Sequence, residues 1–225
     1  MLQAGPRLPA VADTVLGMSM YQEGSEAGRL EQLWQGDFGS AYTERNASAG
    51  GTRSEFWRAV LDELRPRRVL EVGCNVGANL AHISGPVPPR DVWGVDLNEP
   101  ALEGLRARLP GINASWSTAR ALPFRDGWFD LVFTVAVLIH QPEETLALAM
   151  SELVRCSRRH VLCIEYTAAA NEEVAYRGQK GAFFKRPYGV QMGRLFPELR
   201  LVREGSVSRS DGFDDGLGLW LFERV

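Results

Sequence analysis

Apolar residues recur along this chain in two alternating rhythms. Between residues 52 and 64, Phe56, Trp57, Val60, Leu61 and Leu64 fall at helical spacing on one face. A short apolar run at 68–72 then predicts a strand, and residues 77–83 predict a helix opening at Gly77. The alternation continues with a strand at 92–96, a helix at 100–109 that starts on Pro100, and a weak strand at 112–116. A near-continuous apolar strand at 129–135, a helix at 142–156 and a buried strand at 160–165 follow. After an irregular stretch to about residue 187, a short helix at 190–196 leads into strands near 199–204 and 217–223. Unbroken apolar strands separated by amphipathic helices predict parallel pairing through right-handed crossovers, with both sheet faces covered. The expected fold is α/β and Rossmann-like: a mostly parallel seven-stranded sheet, helices on both faces and an antiparallel edge strand. Residues 1–30, rich in Gly, Pro, Ala and Ser, read as a flexible tail or as a segment that orders on a ligand, and 31–225 as one domain. Within it, 31–64 read as a lid and helix, and 167–187 as an insertion too long for a plain connection.

Composition narrows the partners. A chain of 225 residues that is 45% hydrophobic suits one domain with a full core. Its net charge of −3 advertises no basic face, so no nucleic acid is expected. Arg65, Arg67 and Arg68, and again Arg155, Arg158 and Arg159, cluster at predicted helix ends, where cations complement the helix dipole. Neither the three cysteines (Cys74, Cys156, Cys163) nor the three histidines (His82, His140, His160) show metal-ligand spacing, so no metal is expected. Free thiols suit a reducing cytoplasm, the expected location. No stretch approaches ~18 uninterrupted apolar residues, and the start lacks a basic segment followed by an apolar one, so no membrane partner is expected.

The sharpest local signal is the run Val69-Leu70-Glu71-Val72-Gly73-Cys74-Asn75-Val76-Gly77-Ala78-Asn79-Leu80. A strand enters a glycine turn whose backbone approaches a ligand unhindered by a Cβ. Asp96 ends the next strand, where a carboxylate accepts hydrogen bonds from both hydroxyls of an adenosine ribose, or instead caps the following helix. A nicotinamide or flavin dinucleotide fits less well. Asn75 stands where a second glycine normally lets a pyrophosphate approach, whereas its amide suits the amino-acid end of a sulfonium cofactor. A Tyr-x-x-x-Lys pair, Tyr176 and Lys180, encloses Gly178, a poor residue for the helix that would align the two.

Taken together these residues resemble the class I S-adenosylmethionine-dependent methyltransferases. The run from Leu122 to Val132 is similar to the LPF…FDLV segment of such enzymes. An acidic residue that usually precedes it and meets the adenine amino group is Thr118 here, which leaves that contact to the backbone around Ala119. A narrower match resembles the pseudaminic-acid-biosynthesis-associated methylase family. It is carried by Trp34-x-Gly36-x-Phe38-Gly39-x-x-Tyr42-x-x-Arg45-Asn46 and Glu71-x-Gly73-x-Asn75-x-Gly77-x-Asn79-Leu80, then Val137-Leu138-Ile139-His140, Glu165-Tyr166, Tyr176-Arg177-Gly178 and Phe184-Lys185-Arg186. The resemblance implies S-adenosyl-L-methionine as cofactor and S-adenosyl-L-homocysteine as product. It puts Glu71, Gly73, Asn75, Gly77, Asn79, Asp96, Leu97, Ala119 and Val135 around the cofactor. Residues 34–46 would fold over it, bringing Tyr42, Arg45 or Asn46 near its carboxylate.

In such folds the second substrate sits above the C-terminal strand ends. His140 follows the fourth core strand; it reads as a general base, because its ordinary pKa lies near neutrality, or as a histidine bonded at a helix start. Glu165, with Tyr166 at the end of the fifth strand, reads as a second base, a partner for an acceptor amine, or a partner for an arginine. Tyr176, Arg177, Lys185 and Arg186 in the insertion suggest recognition of a carboxylate or phosphate, or a solvated basic loop. No Asn/Asp-Pro-Pro-aromatic run follows the fourth strand, which disfavours base amines and glutamine amides as acceptors. The expected acceptor is a small, polar, anionic metabolite methylated on oxygen or nitrogen, by a monomer or homodimer. The alternatives are a protein or RNA methyltransferase, a cofactor-binding regulator without turnover, and a nicotinamide oxidoreductase.

Overall fold

The computed structural model describes residues 25–46 and 52–225. Helices α1 (Glu26–Gln35), α2 (Asp37–Asn46) and α3 (Ser54–Leu64) precede the alternating core. The core comprises β1 (Val69–Val72), α4 (Leu80–Ile83), β2 (Val92–Asp96), α5 (Glu99–Arg108), β3 (Asn113–Trp116), β4 (Phe129–Val135), α6 (Glu143–Cys156) and β5 (Ser157–Tyr166). A small pair, β6 (Glu172–Glu173) and β7 (Phe184–Lys185), leads to α7 (Tyr188–Leu195), β8 (Leu199–Val207) and β9 (Leu217–Arg224).

The main sheet has the order β3-β2-β1-β4-β5-β9-β8. The first five strands pair in parallel, and β9 runs antiparallel to both β5 and β8. The late strands therefore form the expected antiparallel pair, with β9 running against the rest one position in from the edge. Chain direction across the sheet reverses between β1 and β4, which opens a crevice at the C-terminal strand ends.

Period-two alternation divides the core between two faces. Val69 of β1 packs with Trp57, Leu80 and Leu105 from α3, α4 and α5. Its neighbour Leu70 packs on the other face with Met150 and Leu153 of α6 and Met192 of α7. Each fully buried leucine contributes ~1.5–3 kcal/mol relative to an exposed one. Among the described residues, no helix is long and apolar enough to cross a membrane, and no group of three or more His, Cys, Asp or Glu is placed to hold a metal.

Three local differences from the sequence reading bear on the site. Helix α1 begins at Glu26, inside the stretch read as a tail, because Ser25 caps it by accepting from the Gly28 amide at 3.1 Å and because Ala27 and Leu30 are buried. The rest of that tail, 1–24, and residues 47–51 of the expected lid lie outside the described residues. Helix α4 begins at Leu80 rather than Gly77, since Gly77 adopts φ 75, where a right-handed helix cannot start. Finally, residues 34–46 are largely helical, split between α1 and α2. Gly39 is required at their junction, because a Cβ there would lie 1.9 Å from the Trp34 carbonyl oxygen.

Candidate functional site

A cavity of about 810 Å³ opens where β1, β2, β4 and β5 end. That volume falls within the roughly 300–1,000 Å³ of small-molecule sites. Trp34, Tyr42 and Asn46 of α1 and α2 line its outer side. These helices are tied to the sheet by Asn98, whose side-chain amide donates to the Trp34 carbonyl at 3.2 Å and lies 3.3 Å from Ser40 Oγ.

One end of the cavity is built by the loop after β1. Gly73 sits at φ 75, and its amide and that of Cys74 donate to the Val95 carbonyl at 2.8 and 3.0 Å. Asn75 also occupies the left-handed region, at φ 47, which asparagine tolerates by bonding locally. Its Oδ1 accepts from the Val76 amide at 2.7 Å. Its own amide donates to Asp96 Oδ2 at 2.8 Å, while Asp96 Oδ1 accepts from the Asn98 amide at 2.9 Å. Asp96 is therefore not the cap of α5; Asn98 is, accepting from the Ala101 amide at 3.0 Å. The Asp96 carboxylate is held by two loops and lines the cavity. Burial raises its pKa above the usual carboxylate value, and the backbone amides offset part of that rise.

Beneath this loop, Glu71 is buried with one oxygen, Oε1, accepting from Asn79 Nδ2 at 2.6 Å. The other, Oε2, is buried without a hydrogen-bond partner. Asn79 Oδ1 accepts in turn from Arg53 Nη1 at 2.7 Å and Trp57 Nε1 at 3.3 Å. Arg53 Nε donates to the Gly212 carbonyl at 2.9 Å, and its guanidinium lies 4.3 Å from the Phe213 ring centre. Burial pushes Glu71 up to about 8, outweighing the pull of Asn79 and Arg53, and burial likewise lowers the Arg53 pKa. An acid and a guanidinium thus face one pocket with binding capacity left over.

The opposite end is aromatic. His140 Nδ1 lies 2.6 Å from the Ala182 carbonyl, which accepts its proton and leaves Nε2 as the unprotonated nitrogen. Burial lowers the His140 pKa to about 4, so the ring is neutral at physiological pH. Tyr166 donates to Asp214 Oδ2 at 3.1 Å; burial, then the Asp214 carboxylate, raises its pKa. Burial likewise lifts the pKa of Tyr42, to about 12, which keeps that phenol protonated.

Most residues expected at the site do meet at this cavity. Tyr42, Asn46, Glu71, Gly73, Asn75 and Asn79 line it, as do Asp96, Leu97, Ala119 and Val135, and at the aromatic end His140, Tyr166, Tyr176, Arg177 and Lys185. Four do not. Arg45 is exposed on the outer face of α2, and Gly77 shapes the loop from behind. Glu165 is fully buried, accepting from Thr134 Oγ1 at 2.8 Å and from the Val137 and Ile139 amides at 3.0 and 3.3 Å, which is none of the three roles read for it. Arg186 is buried too, donating to the Gln141 carbonyl at 2.9 Å and pairing with Glu143 at 3.3 Å. Tyr176 and Lys180 sit on a turn rather than a helix, which removes the dehydrogenase geometry. Conversely, Arg53, Trp34 and Phe183 line the cavity without having been singled out as site residues. Trp34 belongs to an aromatic run that offered a signal; Arg53 offered none, its partners lying 26 and more residues away.

Residues 69–160 match a family model described as a methyltransferase domain. The chain is 35% identical over 98 residues to phthiotriol/phenolphthiotriol dimycocerosates methyltransferase 1 of Mycobacterium ulcerans, covering 43% of this chain and 35% of that protein. It is 33% identical over 75 residues to a fatty-acid O-methyltransferase of Mycolicibacterium smegmatis, covering 32% of this chain and 27% of that one. The chain thus spans about a third of the length of these curated relatives. Among solved structures it is similar to the 1,6-didemethyltoxoflavin-N1-methyltransferase of Burkholderia thailandensis with bound 1,6-didemethyltoxoflavin and S-adenosylhomocysteine. There the TM-score is 0.68 at 16% identity over 92% of this chain and 93% of that one. It is also similar to the magnesium protoporphyrin IX methyltransferase of Synechocystis with bound S-adenosylhomocysteine, with TM-score 0.65 at 13% identity over 89% and 100% of the two chains. At these identities the likeness establishes the methyltransferase fold.

Proposed function

We propose that the chain is an S-adenosylmethionine-dependent methyltransferase acting on oxygen or nitrogen of a small polar acceptor, one that carries an anionic group. The observation that carries this reading is the pairing, in one cavity, of a ribose-type acid with a zwitterion-type acid and base. Asp96 presents a carboxylate at the end of β2, and Glu71 Oε2 lies buried and unpaired within reach of the same space as Arg53. The ribose hydroxyls suit Asp96, the ammonium suits Glu71, and the carboxylate suits Arg53 and Asn75. When bound, the cofactor supplies a methyl carbon already activated by the adjacent sulfonium. The chain's own task is to hold a nucleophile close and aligned, to exclude water under α1 and α2, and to take a proton where the acceptor carries one. His140 Nε2 is the neutral nitrogen in the cavity suited to that last role, while Arg177 and Lys185 suit the acceptor's anion. The runs similar to the pseudaminic-acid-associated methylases favour a small metabolite over a macromolecule.

Methyl transfer is tested by incubating the purified chain with S-adenosylmethionine and fractionated small-molecule extract, and measuring S-adenosylhomocysteine. The expected result is acceptor-dependent product in at least one fraction. Cofactor binding without product in any fraction identifies a non-catalytic regulator instead.

Two further outcomes follow from the cofactor end. Asp96→Ala is expected to weaken S-adenosylmethionine binding by ~1.5–3 kcal/mol, or about 10- to 150-fold. Calorimetry reads this directly, and unchanged affinity removes the ribose assignment. In the free chain, Glu71 is protonated below about pH 8. Its contribution to stability is complete below the ordinary value of 4.5 and is lost as the pH rises through about 8. An ammonium held at Oε2 favours the carboxylate, so binding at pH 7 releases a proton and affinity rises with pH until about 8. Calorimetry in buffers of different ionisation heat counts that proton, and Glu71→Gln abolishes its release. Proton uptake, or no transfer, contradicts the assignment.

A further inference from the structure

The aromatic end of the cavity is more specific than a generic polar pocket. Trp34 and His140 stand 4.3 Å apart between ring centres, and Tyr176 lies 6.5 Å from the first and 5.6 Å from the second. Phe183 follows at 5.5 Å from Tyr176, and Tyr166 at 5.5 Å from Phe183. These five rings touch one another in sequence, and all five line the same space. They come from four separate places in the chain: α1, the turn after β4, the end of β5, and the insertion before β7. We infer that the acceptor is a planar aromatic or heteroaromatic molecule with an anionic substituent, its ring against this wall and its anion toward Arg177 and Lys185. This rests on the methyltransferase reading above and names the substrate class for that site.

The wall suits a planar ring, and the charges beside it suit an anion. Aromatic side chains gain extra attraction from a further ring stacked or set edge-on, beyond the apolar area buried. A hydroxylated sugar instead needs many directed polar partners. This wall offers few: His140 Nδ1 is committed to Ala182 and the Tyr166 hydroxyl to Asp214, which leaves the buried, unpartnered Trp34 Nε1 as a single directed donor suited to one polar atom at a ring's edge. A long acyl chain needs a deep channel, whereas about 810 Å³ must hold the cofactor as well as the acceptor. A cationic acceptor, which aromatic rings also attract, is opposed by Arg177 and Lys185 at the same end; of the acids lining the cavity, Glu71 and Asp96 belong to the cofactor end and Asp214 already accepts from Tyr166. His140 Nε2 then faces a hydroxyl or ring N–H lying in the plane of the acceptor, the position from which a proton must leave before the oxygen or nitrogen is methylated.

The test uses the full chain saturated with S-adenosylhomocysteine and a matched pair of probes, 3-hydroxybenzoate and cis-3-hydroxycyclohexanecarboxylate. They share charge, size and polar groups and differ in planarity. Calorimetry or ligand-observed NMR is expected to show about tenfold tighter binding of the planar probe. Tyr176→Leu and Phe183→Leu should each bring the ratio toward one, while S-adenosylhomocysteine binding, measured first on the same samples, reports that the cofactor end is intact. Failure to bind S-adenosylhomocysteine would overturn the methyltransferase reading itself. Normal S-adenosylhomocysteine binding with no planar preference, including no binding of either probe at millimolar concentration, overturns the aromatic acceptor alone. A ratio unmoved by both substitutions likewise overturns the assignment of the wall.

Discussion

His140→Ala is expected to lower kcat by ~10²–10⁴ while leaving cofactor affinity and folding close to normal. The ring is held in one orientation by the 2.6 Å contact between Nδ1 and the Ala182 carbonyl, and by Trp34 at 4.3 Å, and His140 lines the cavity. Because burial holds its pKa at about 4, the ring is already neutral across the range from pH 6 to 9. With S-adenosylmethionine saturating, so that the Glu71-linked change in its affinity is not read, kcat is therefore expected to show no His140 titration in that range and to lose the His140 contribution only as the pH drops toward 4. The same shift makes the neutral ring's contribution to stability complete above about pH 6.5, and that contribution is lost as the pH falls through about 4. His140→Asn separates the roles, since it retains hydrogen bonding but cannot take the proton. If His140→Asn turns over at the wild-type rate from pH 6 to 9, the residue orients the acceptor, and the transferable proton is absent from it.

Glu165→Ala is expected to cost ~3–5 kcal/mol of stability, because three donors lose their acceptor at about 1–3 kcal/mol each with partial relaxation. For a chain of this size that is a fall in Tm of roughly 6–20 °C. The carboxylate satisfies buried Thr134, the buried amide of Ile139 and the partly buried amide of Val137, and alanine would strand all three donors. Burial drives its pKa up to about 7, although those donors pull the other way. Glu165→Gln keeps an acceptor oxygen but turns an N–H₂ group toward an amide, so an intermediate loss is expected. Denaturant unfolding checks both. A Glu165→Ala chain as stable as the parent but inactive would mean that the carboxylate touches substrate after all.

The contrast between Glu165 and Asp96 shows where the sequence stops being informative. Both are acids at the ends of apolar strands, and both read as site residues. Asp96 faces the cavity because β2 ends at the switch-point crevice and the loop after β1 turns its Asn75 amide toward it. Glu165 faces the interior because the turn at 137–139 folds its amides over the carboxylate, a tertiary fact with no local signature. The same applies to Arg186 beside Arg177: one spends its guanidinium on Gln141 and Glu143, the other lies on an exposed turn at the cavity rim. The alternation of apolar strands and amphipathic helices was legible because burial on both faces leaves little choice of residue. Helix α2 was not, because its apolar positions follow no clear helical face and its place depends on Asn98, more than fifty residues away.

Calorimetric titration of the purified chain with S-adenosylmethionine, and in parallel with a nicotinamide dinucleotide, tests the central claim most directly. The account predicts saturable one-to-one binding of S-adenosylmethionine, weakened about 10- to 150-fold by Asp96→Ala, and no binding of the dinucleotide. Absence of S-adenosylmethionine binding, or saturable binding of the dinucleotide in its place, would contradict it.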